Sequence, residues 1–190
     1  MARLRKPLRL AAVAAGLALG AGTATAATPL AGCYARSYEA AHLLQHKGQI
    51  IRRVQLVIKP SNLGAGAPPV SGDLIFWVIG HKQTFSSFGA CTEKAGALRC
   101  NGSDSAAEAD PCKGQHDGVR NCREQSGDIG SFRVTNKGDG VLVTITARLE
   151  VAASDEDAGP PFLYLDPGNA ENHAFLLPKA SGAACSNKDR

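Results

Sequence analysis

The chain has 190 residues and six cysteines, and its 21 Lys and Arg outnumber its 17 Asp and Glu. Four of the bases and none of the acids lie in residues 1–26, so the remaining chain is neutral, with seventeen of each. A neutral chain of this length fits one domain with a real core, and it lacks the basic surface that would indicate a nucleic-acid partner.

The first predicted element is a secretory signal peptide over residues 1–26. An apolar run extends from Leu10 to Gly20, and Ala24-Thr25-Ala26 has the small-x-small form of a cleavage site. Four basic residues precede the run: Arg3, Arg5, Lys6 and Arg9. This pattern predicts a periplasmic or secreted protein whose mature domain is residues 27–190. No later stretch reaches the ~18 consecutive apolar residues of a membrane helix, so we expect no transmembrane segment in the mature chain.

A second interpretation of the leader remains open, because Leu30-Ala31-Gly32-Cys33 resembles a bacterial lipobox. It predicts an outer-membrane lipoprotein lipidated at Cys33. Two observations favour the soluble form. The polar segment Thr23 to Pro29 separates the tetrapeptide from the apolar run, and lipidation would leave an odd number of cysteines in an oxidising compartment.

The mature chain opens with one short predicted helix, Tyr38 to Lys47. Ser37 suits its N-cap, and Gly48 follows Lys47 as a C′ glycine would. Three residues at i, i+3, i+4 spacing are expected to form its buried stripe: Ala40, Leu43 and Leu44.

Beyond the helix, the apolar residues change to the patterns of strands. Val54 to Ile58 alternates, Leu74 to Ile79 is a continuous run typical of a strand covered on both faces, and Val141 to Val151 alternates after a turn signal. Further short strands are predicted at Phe85–Cys91, Ala97–Cys100, Ser131–Thr135, Phe162–Leu165 and Ala174–Leu177. About seven short strands and one N-terminal helix predict a mainly β fold, an antiparallel sandwich or barrel stapled by disulfides.

All six cysteines follow the leader, so we expect structural disulfides. A hairpin with Ala95-Gly96 as its loop sets two cysteines opposite one another at a closely approaching pair. Two more share the long polar loop Asn101 to Ser126, and the last two lie near the termini, which are often close in single domains. The predicted pairs are Cys91–Cys100, Cys112–Cys122 and Cys33–Cys185.

The chain carries no motif that identifies catalytic or metal chemistry. His42 and His46 can reach one metal from a helix, but two ligands do not complete a site, so we expect no metal and no other cofactor. The acids Asp155 to Asp157 lack EF-loop spacing and are interpreted as a solvated connection. No G-x-S-x-G elbow occurs, and we assign no catalytic residue. An uncharacterised hydrolase is a further alternative.

The polar aromatic segment at the mature N-terminus is the predicted binding surface, together with the 101–126 loop. Tyr and Arg are favoured at binding hot spots, because they combine large contact area with directed hydrogen bonds. The candidate residues are Tyr34, Arg36, Tyr38 and His42. We therefore expect a non-catalytic binding module whose partner is a protein or an envelope glycan.

The order Cys33-Tyr34-x-Arg36-x-Tyr38, followed by His42-Leu43, resembles the opening of a group of small exported bacterial proteins of unassigned function. Gly130 to Val134 and Asn172 to Leu177 are similar to later segments of that group. The long 101–126 insertion departs from it. The resemblance implies a small β-rich domain and transfers no catalytic residue.

Overall fold

The structure is a computed structural model that describes residues 29–64, 66–103 and 130–185. The predicted signal peptide, the predicted Cys112–Cys122 bridge and most of the 101–126 loop lie outside the described residues. They remain predictions.

The described residues form ten strands, one α-helix and two 3₁₀ turns. In chain order these are β1 (Gly32–Ser37), α1 (Ala40–Gln45), β2 (Ile51–Pro60), β3 (Val70–Val78), β4 (Thr84–Lys94), β5 (Ala97–Ser103), β6 (Ser131–Lys137), β7 (Gly140–Ala147), β8 (Leu149–Ala153), a 3₁₀ turn (Glu156–Ala158), β9 (Phe162–Leu165), β10 (Ala174–Ala180) and a 3₁₀ turn (Gly182–Cys185).

Eight of the strands close into an antiparallel barrel. β1 to β7 follow one another around the ring in chain order, and β10 completes it between β7 and β1. Because neighbours in sequence are neighbours in space, the barrel has up-and-down topology. The prediction of a mainly β fold is confirmed, and of its two alternatives the barrel is the one that forms.

β8 and β9 form a hairpin, here called the arm, that leaves the ring between β7 and β10. β4 pairs with β5 from Phe88 to Lys94. Nearer its start, at Phe85 and Ser86, β4 pairs with β8 instead. The single strand predicted over Val141–Val151 is therefore wrong. It breaks at Arg148, because its first part is hydrogen-bonded to β6 and its second part to β4.

Inward-facing side chains fill the barrel. Four phenylalanines are fully buried in it, and the rings of two of them, Phe76 and Phe175, lie 5.8 Å apart. Small residues make room for this packing, since a Cβ added at Gly89 would lie 2.8 Å from the Phe132 ring. Eight-stranded barrels either fill their interior with side chains or hold one small ligand. In the described residues, side chains occupy the interior.

Two of the predicted disulfides are confirmed. Cys91 faces Cys100 across the β4–β5 hairpin, with their Cα atoms 4.0 Å apart. The hairpin loop is Ala95-Gly96, and both residues have positive φ, as a two-residue loop of type I′ requires. Cys33 of β1 is bonded to Cys185 in the 3₁₀ turn that follows β10, with a Cα–Cα distance of 6.0 Å.

The two ends of the barrel differ in the length of their connections. At one end, here called end A, the described connections are 38–50, 79–83 and 148–173, and β5 ends and β6 begins there too. At the opposite end, end B, they are joined by 61–69, 95–96 and 138–139. End A therefore carries α1 and the arm, whereas end B carries mostly tight turns.

The helix differs from its prediction. α1 is shorter than 38–47, and its N-cap is Glu39, without a side-chain cap bond. Ser37, the predicted cap, is the last residue of β1. None of the helix residues is buried, so the predicted stripe of Ala40, Leu43 and Leu44 is wrong. Tyr38, which precedes the helix, packs against the core at this position instead. No helix within the described ranges has the length and apolarity of a membrane span.

Candidate functional site

β1 directs three of the predicted binding residues to one face of the sheet. Tyr34, Arg36 and Tyr38 are two residues apart, so they point to the inner side of the barrel and run from its core towards end A. Tyr34 is only 4% exposed, and its hydroxyl donates to the carbonyl of Leu30 at 3.1 Å. The structure therefore places Tyr34 in the core and Tyr38 at the rim.

Arg36 lies where β1 and β10 separate. Only two residue pairs join these strands, against six between β1 and β2. The Nη1 of Arg36 donates to the carbonyl of Leu176 at 3.4 Å, and its guanidinium lies 4.9 Å from the centroid of the Tyr38 ring. Burial raises the pKa of the Tyr38 phenol, and the positive charge of Arg36 opposes part of that rise.

Three rings form a column at end A, here called the aromatic stack: Tyr38, His42 and His46. The centroids of Tyr38 and His42 are 5.0 Å apart, and those of His42 and His46 are 4.2 Å apart, with interplanar angles near 25°. The i, i+4 spacing of the three residues aligns them along one side of α1. Because His42 lies between the other two, both faces of its ring are covered.

The buried amide of Gln49 connects the aromatic stack to the start of β2. Its Nε2 donates to the carbonyl of Ile51 at 2.8 Å, and its Oε1 lies 3.0 Å from Nε2 of His42. Sequence analysis did not find this residue.

Asn172 joins the β9–β10 connection to the α1–β2 connection. Its Oδ1 accepts from the backbone N–H of Ile50 at 3.0 Å, and its Nδ2 donates to the carbonyl of Gly48 at 2.8 Å and to Oδ1 of Asn169 at 3.2 Å. The side chain is 2% exposed. These bonds fix the two connections against one another at end A.

Two charged or titratable neighbours of Asn172 also belong to this end. Oε1 of Glu171 lies 3.8 Å from Nδ1 of His46, and its Oε2 is buried without a hydrogen-bond partner among the described residues. Nδ1 of His173 lies 2.7 Å from the carbonyl oxygen of Asn169. With His81 in the β3–β4 turn, four histidines lie in the described connections of end A.

Exposed apolar side chains concentrate at the same end. Six large hydrophobic residues are exposed in the described ranges, and they lie at end A, on the arm or in the first half of β10. They are Leu44, Ile50, Ile79, Phe162, Tyr164 and Leu176. We call the aromatic stack together with Leu44, Ile50 and Ile79 the end-A surface.

The described residues bring together no recognisable catalytic or metal-binding group. No three His, Cys, Asp or Glu side chains within 29–64, 66–103 and 130–185 are placed to hold a metal ion. The rings of His42 and His46 are stacked, and the lone pairs of their nitrogens lie in the two nearly parallel ring planes. These lone pairs therefore do not point at one shared metal position. Comparison of the chain with family models, with curated proteins and with solved structures gives no match.

Proposed function

We propose that the chain is an exported, non-catalytic binding module that contacts its partner through the end-A surface. One observation carries this proposal: the long connections, the polar aromatic residues and the exposed large hydrophobics lie at the same end of the barrel. Binding residues concentrate on connections held by a rigid scaffold, and clusters of exposed apolar side chains mark interaction surfaces.

The packing of the barrel supports a surface site over an interior one. The four buried phenylalanines and the Cys91–Cys100 bridge occupy the space that a small ligand would need. A ligand in the interior would have to displace core side chains, at a cost of several kcal/mol by analogy with core disruption. Contact at end A requires no such displacement.

Between the two partner classes, a protein fits the end-A surface better than a glycan. Sugar rings pack best on open aromatic faces. Here His42 has a ring on each face, and a guanidinium lies over Tyr38, over Trp77 and over Tyr164. Protein partners use Arg-aromatic pairs beside apolar residues as hot spots, which is the composition present here.

The disulfides support export and the soluble form of the protein. Disulfides persist in oxidising compartments. One described bridge joins β4 to β5, and the other joins β1 to the 3₁₀ turn that follows β10. The sulfur of Cys33 is bonded to Cys185, whereas a lipid anchor would need that sulfur for its thioether. The lipoprotein alternative therefore requires a second form of the protein in which this bridge is absent.

Affinity capture with matched variants tests the proposal. Leu44→Ser places a polar side chain at the most exposed apolar residue of end A, and Leu63→Ser makes the same change in the β2–β3 connection of end B. The immobilised mature proteins are exposed to an envelope extract, and the bound species are quantified by mass spectrometry. We expect Leu44→Ser to lower capture about fivefold, as loss of about 1 kcal/mol would. Equal capture by both variants and the unchanged protein would refute a role for end A.

A further inference from the structure

We propose that end A of the barrel recognises N–H donor groups through two histidines of its connections, whose acceptor nitrogens are set by their hydrogen bonds. Gln49 is the positioning residue for one of them. The partner contact rests on the proposed function. The protonation pattern of the two imidazoles does not depend on it.

The first histidine is His42, and the amide of Gln49 decides which of its nitrogens carries the proton. The carbonyl of Ile51 can only accept, so the amide group that faces it at 2.8 Å is the NH₂ of Gln49. The Oε1 of Gln49 then faces His42 and can only accept, so Nε2 of His42 at 3.0 Å must donate. In the neutral ring, Nδ1 is the nitrogen with the lone pair.

The second histidine is His173, and a backbone carbonyl fixes it in the opposite form. Its Nδ1 lies 2.7 Å from the carbonyl oxygen of Asn169, so Nδ1 donates and Nε2 carries the lone pair in the neutral ring. The acceptor is itself held in place. The N–H of Asn169 donates to the carbonyl of Asp166, and its Oδ1 accepts from the N–H of Glu171 and from Nδ2 of Asn172.

Both lone pairs are open to a ligand. Nδ1 of His42 and Nε2 of His173 have no hydrogen-bond partner in the described part of the chain, and neither is among its buried polar atoms. The two segments that carry them are joined by Asn172. A ligand that offers an ammonium, guanidinium or amide N–H can donate to these two nitrogens, whereas a carboxylate or phosphate, which offers only acceptors, cannot pair with them.

The charges around the two rings favour a donor that is also a cation. The carboxylate of Glu171 lies beside His46 and has one oxygen without a partner in the described residues. The guanidinium of Arg36, which lies over Tyr38 of the same aromatic stack, is already bonded to the Leu176 carbonyl. An approaching ammonium therefore meets acceptors and a carboxylate, and we expect it to bind more strongly than a neutral amide.

Nitrogen NMR of the histidine rings tests the fixed protonation pattern. At pH ~8, above the ordinary titration range of histidine, long-range proton–nitrogen correlation reports which ring nitrogen carries the proton. We expect about a tenfold excess of the Nε2–H form at His42 and of the Nδ1–H form at His173, since one hydrogen bond supplies about that factor. His81 is the internal control, because its ring nitrogens have no described hydrogen-bond partner. Gln49→Met should bring the ratio at His42 to that of His81 and leave the ratio at His173 unchanged. If His42 and His173 show the same ratio of the two protonation forms as His81, the proposal is refuted.

Small probes at constant ionic strength test the ligand class on the unchanged mature protein. Ethylammonium should shift the ring signals of His42 and His173 and leave those of His81 unchanged, N-methylacetamide should act more weakly, and propionate should have no effect. Shifts caused by propionate, or equal shifts at all three histidines with ethylammonium, would overturn the proposal. If the rings respond as expected while Leu44→Ser leaves capture unchanged, the proposed function fails and the ligand chemistry of the two histidines stands.

Discussion

Asn172 makes more inter-segment hydrogen bonds at end A than its neighbours in the β9–β10 connection, and it is almost fully buried. Asn172→Ala leaves the N–H of Ile50 and the carbonyl of Gly48 without this partner. Because both groups belong to exposed residues and their bonds are only partly buried, water can replace part of each bond, and we expect the free energy of unfolding to fall by about 1–2 kcal/mol. Urea denaturation measures the change, with the exposed end-B residue Asn62→Ala as the control. A change of less than about 0.5 kcal/mol in Asn172→Ala would contradict this role.

Burial raises the pKa of two tyrosines, Tyr34 and Tyr38, above the ordinary value of 10.0. In the folded protein these phenols keep their protons to higher pH than in the unfolded chain. As the pH rises above 10, the unfolded state binds fewer protons, so the free energy of unfolding must decrease. Absorbance titration should show phenol ionisation above the ordinary midpoint, and Tyr38→Phe should remove one such group. Ionisation of all tyrosines at their ordinary pKa would be the opposite result.

At the scale of single residues, the sequence predicted part of the candidate site. Arg36, Tyr38 and His42 are close in the chain and were found as a group, and the structure places them in contact through the Tyr38 ring. Tyr34 was grouped with them, but the alternation of β1 turns it into the core. The contacts from the β9–β10 connection lie more than a hundred residues further on, and periodicity carries no information on polar residues in connections.

At the scale of elements, turn chemistry was more informative than strand periodicity. Ala95-Gly96 predicted the β4–β5 register, because a two-residue loop fixes which residues face one another. The alternation over Val141–Val151 predicted one strand, since both halves bury alternate residues. The break at Arg148 arises from a change of partner strand, which a single-strand pattern does not record.

The close packing of the β4 backbone against a side chain of β6 gives a prediction at the scale of elements. Gly89 of β4 packs so closely against the ring of Phe132 of β6 and the Cβ of Cys100 of β5 that an added Cβ would overlap both. Gly89→Ala should destabilise the barrel by about 1–3 kcal/mol through overpacking. The double variant Gly89→Ala/Phe132→Leu should cost less than the sum of the two single changes, because the smaller side chain removes the overlap with the ring and leaves only that with the Cys100 Cβ. Additive costs in denaturation would show that the two residues do not compete for space.

At the scale of the whole molecule, the terminal disulfide holds the ring where it is weakest. β1 and β10 share two residue pairs, and the Cys33–Cys185 bridge joins the same region across 152 residues of chain. In the chain-entropy model this bridge contributes about 4–5 kcal/mol, more than a bridge that closes a short hairpin. The double variant Cys33→Ser/Cys185→Ser should therefore lower the free energy of unfolding more than Cys91→Ser/Cys100→Ser does. The comparison is made after the cost of the cavity that the second variant leaves in the core has been subtracted. The reverse order would contradict the account of the seam.

The difference between the two ends of the barrel, with long connections at end A and short ones at end B, could be recognised only from the closed topology. The sequence predicted a barrel or a sandwich, and the choice between them depends on the pairing of β10 with β1, which closes the ring. That pairing joins residues near the two ends of the described chain. In a closed up-and-down ring, successive connections alternate between the two ends. The difference between end A and end B then follows from the lengths of the connections at each end.

Site-specific photo-crosslinking in cells that export the protein tests the central claim most directly. A photoreactive side chain is placed at Leu44 or Ile79 of end A. In matched proteins it is placed at end B, at Glu93 near the end of β4 or at Asp139 in the β6–β7 turn, both of which are exposed. The account predicts a discrete crosslinked partner from both end-A positions and from neither end-B position. Crosslinks to the same partner from end B, or no crosslink from any of the four positions, would contradict it.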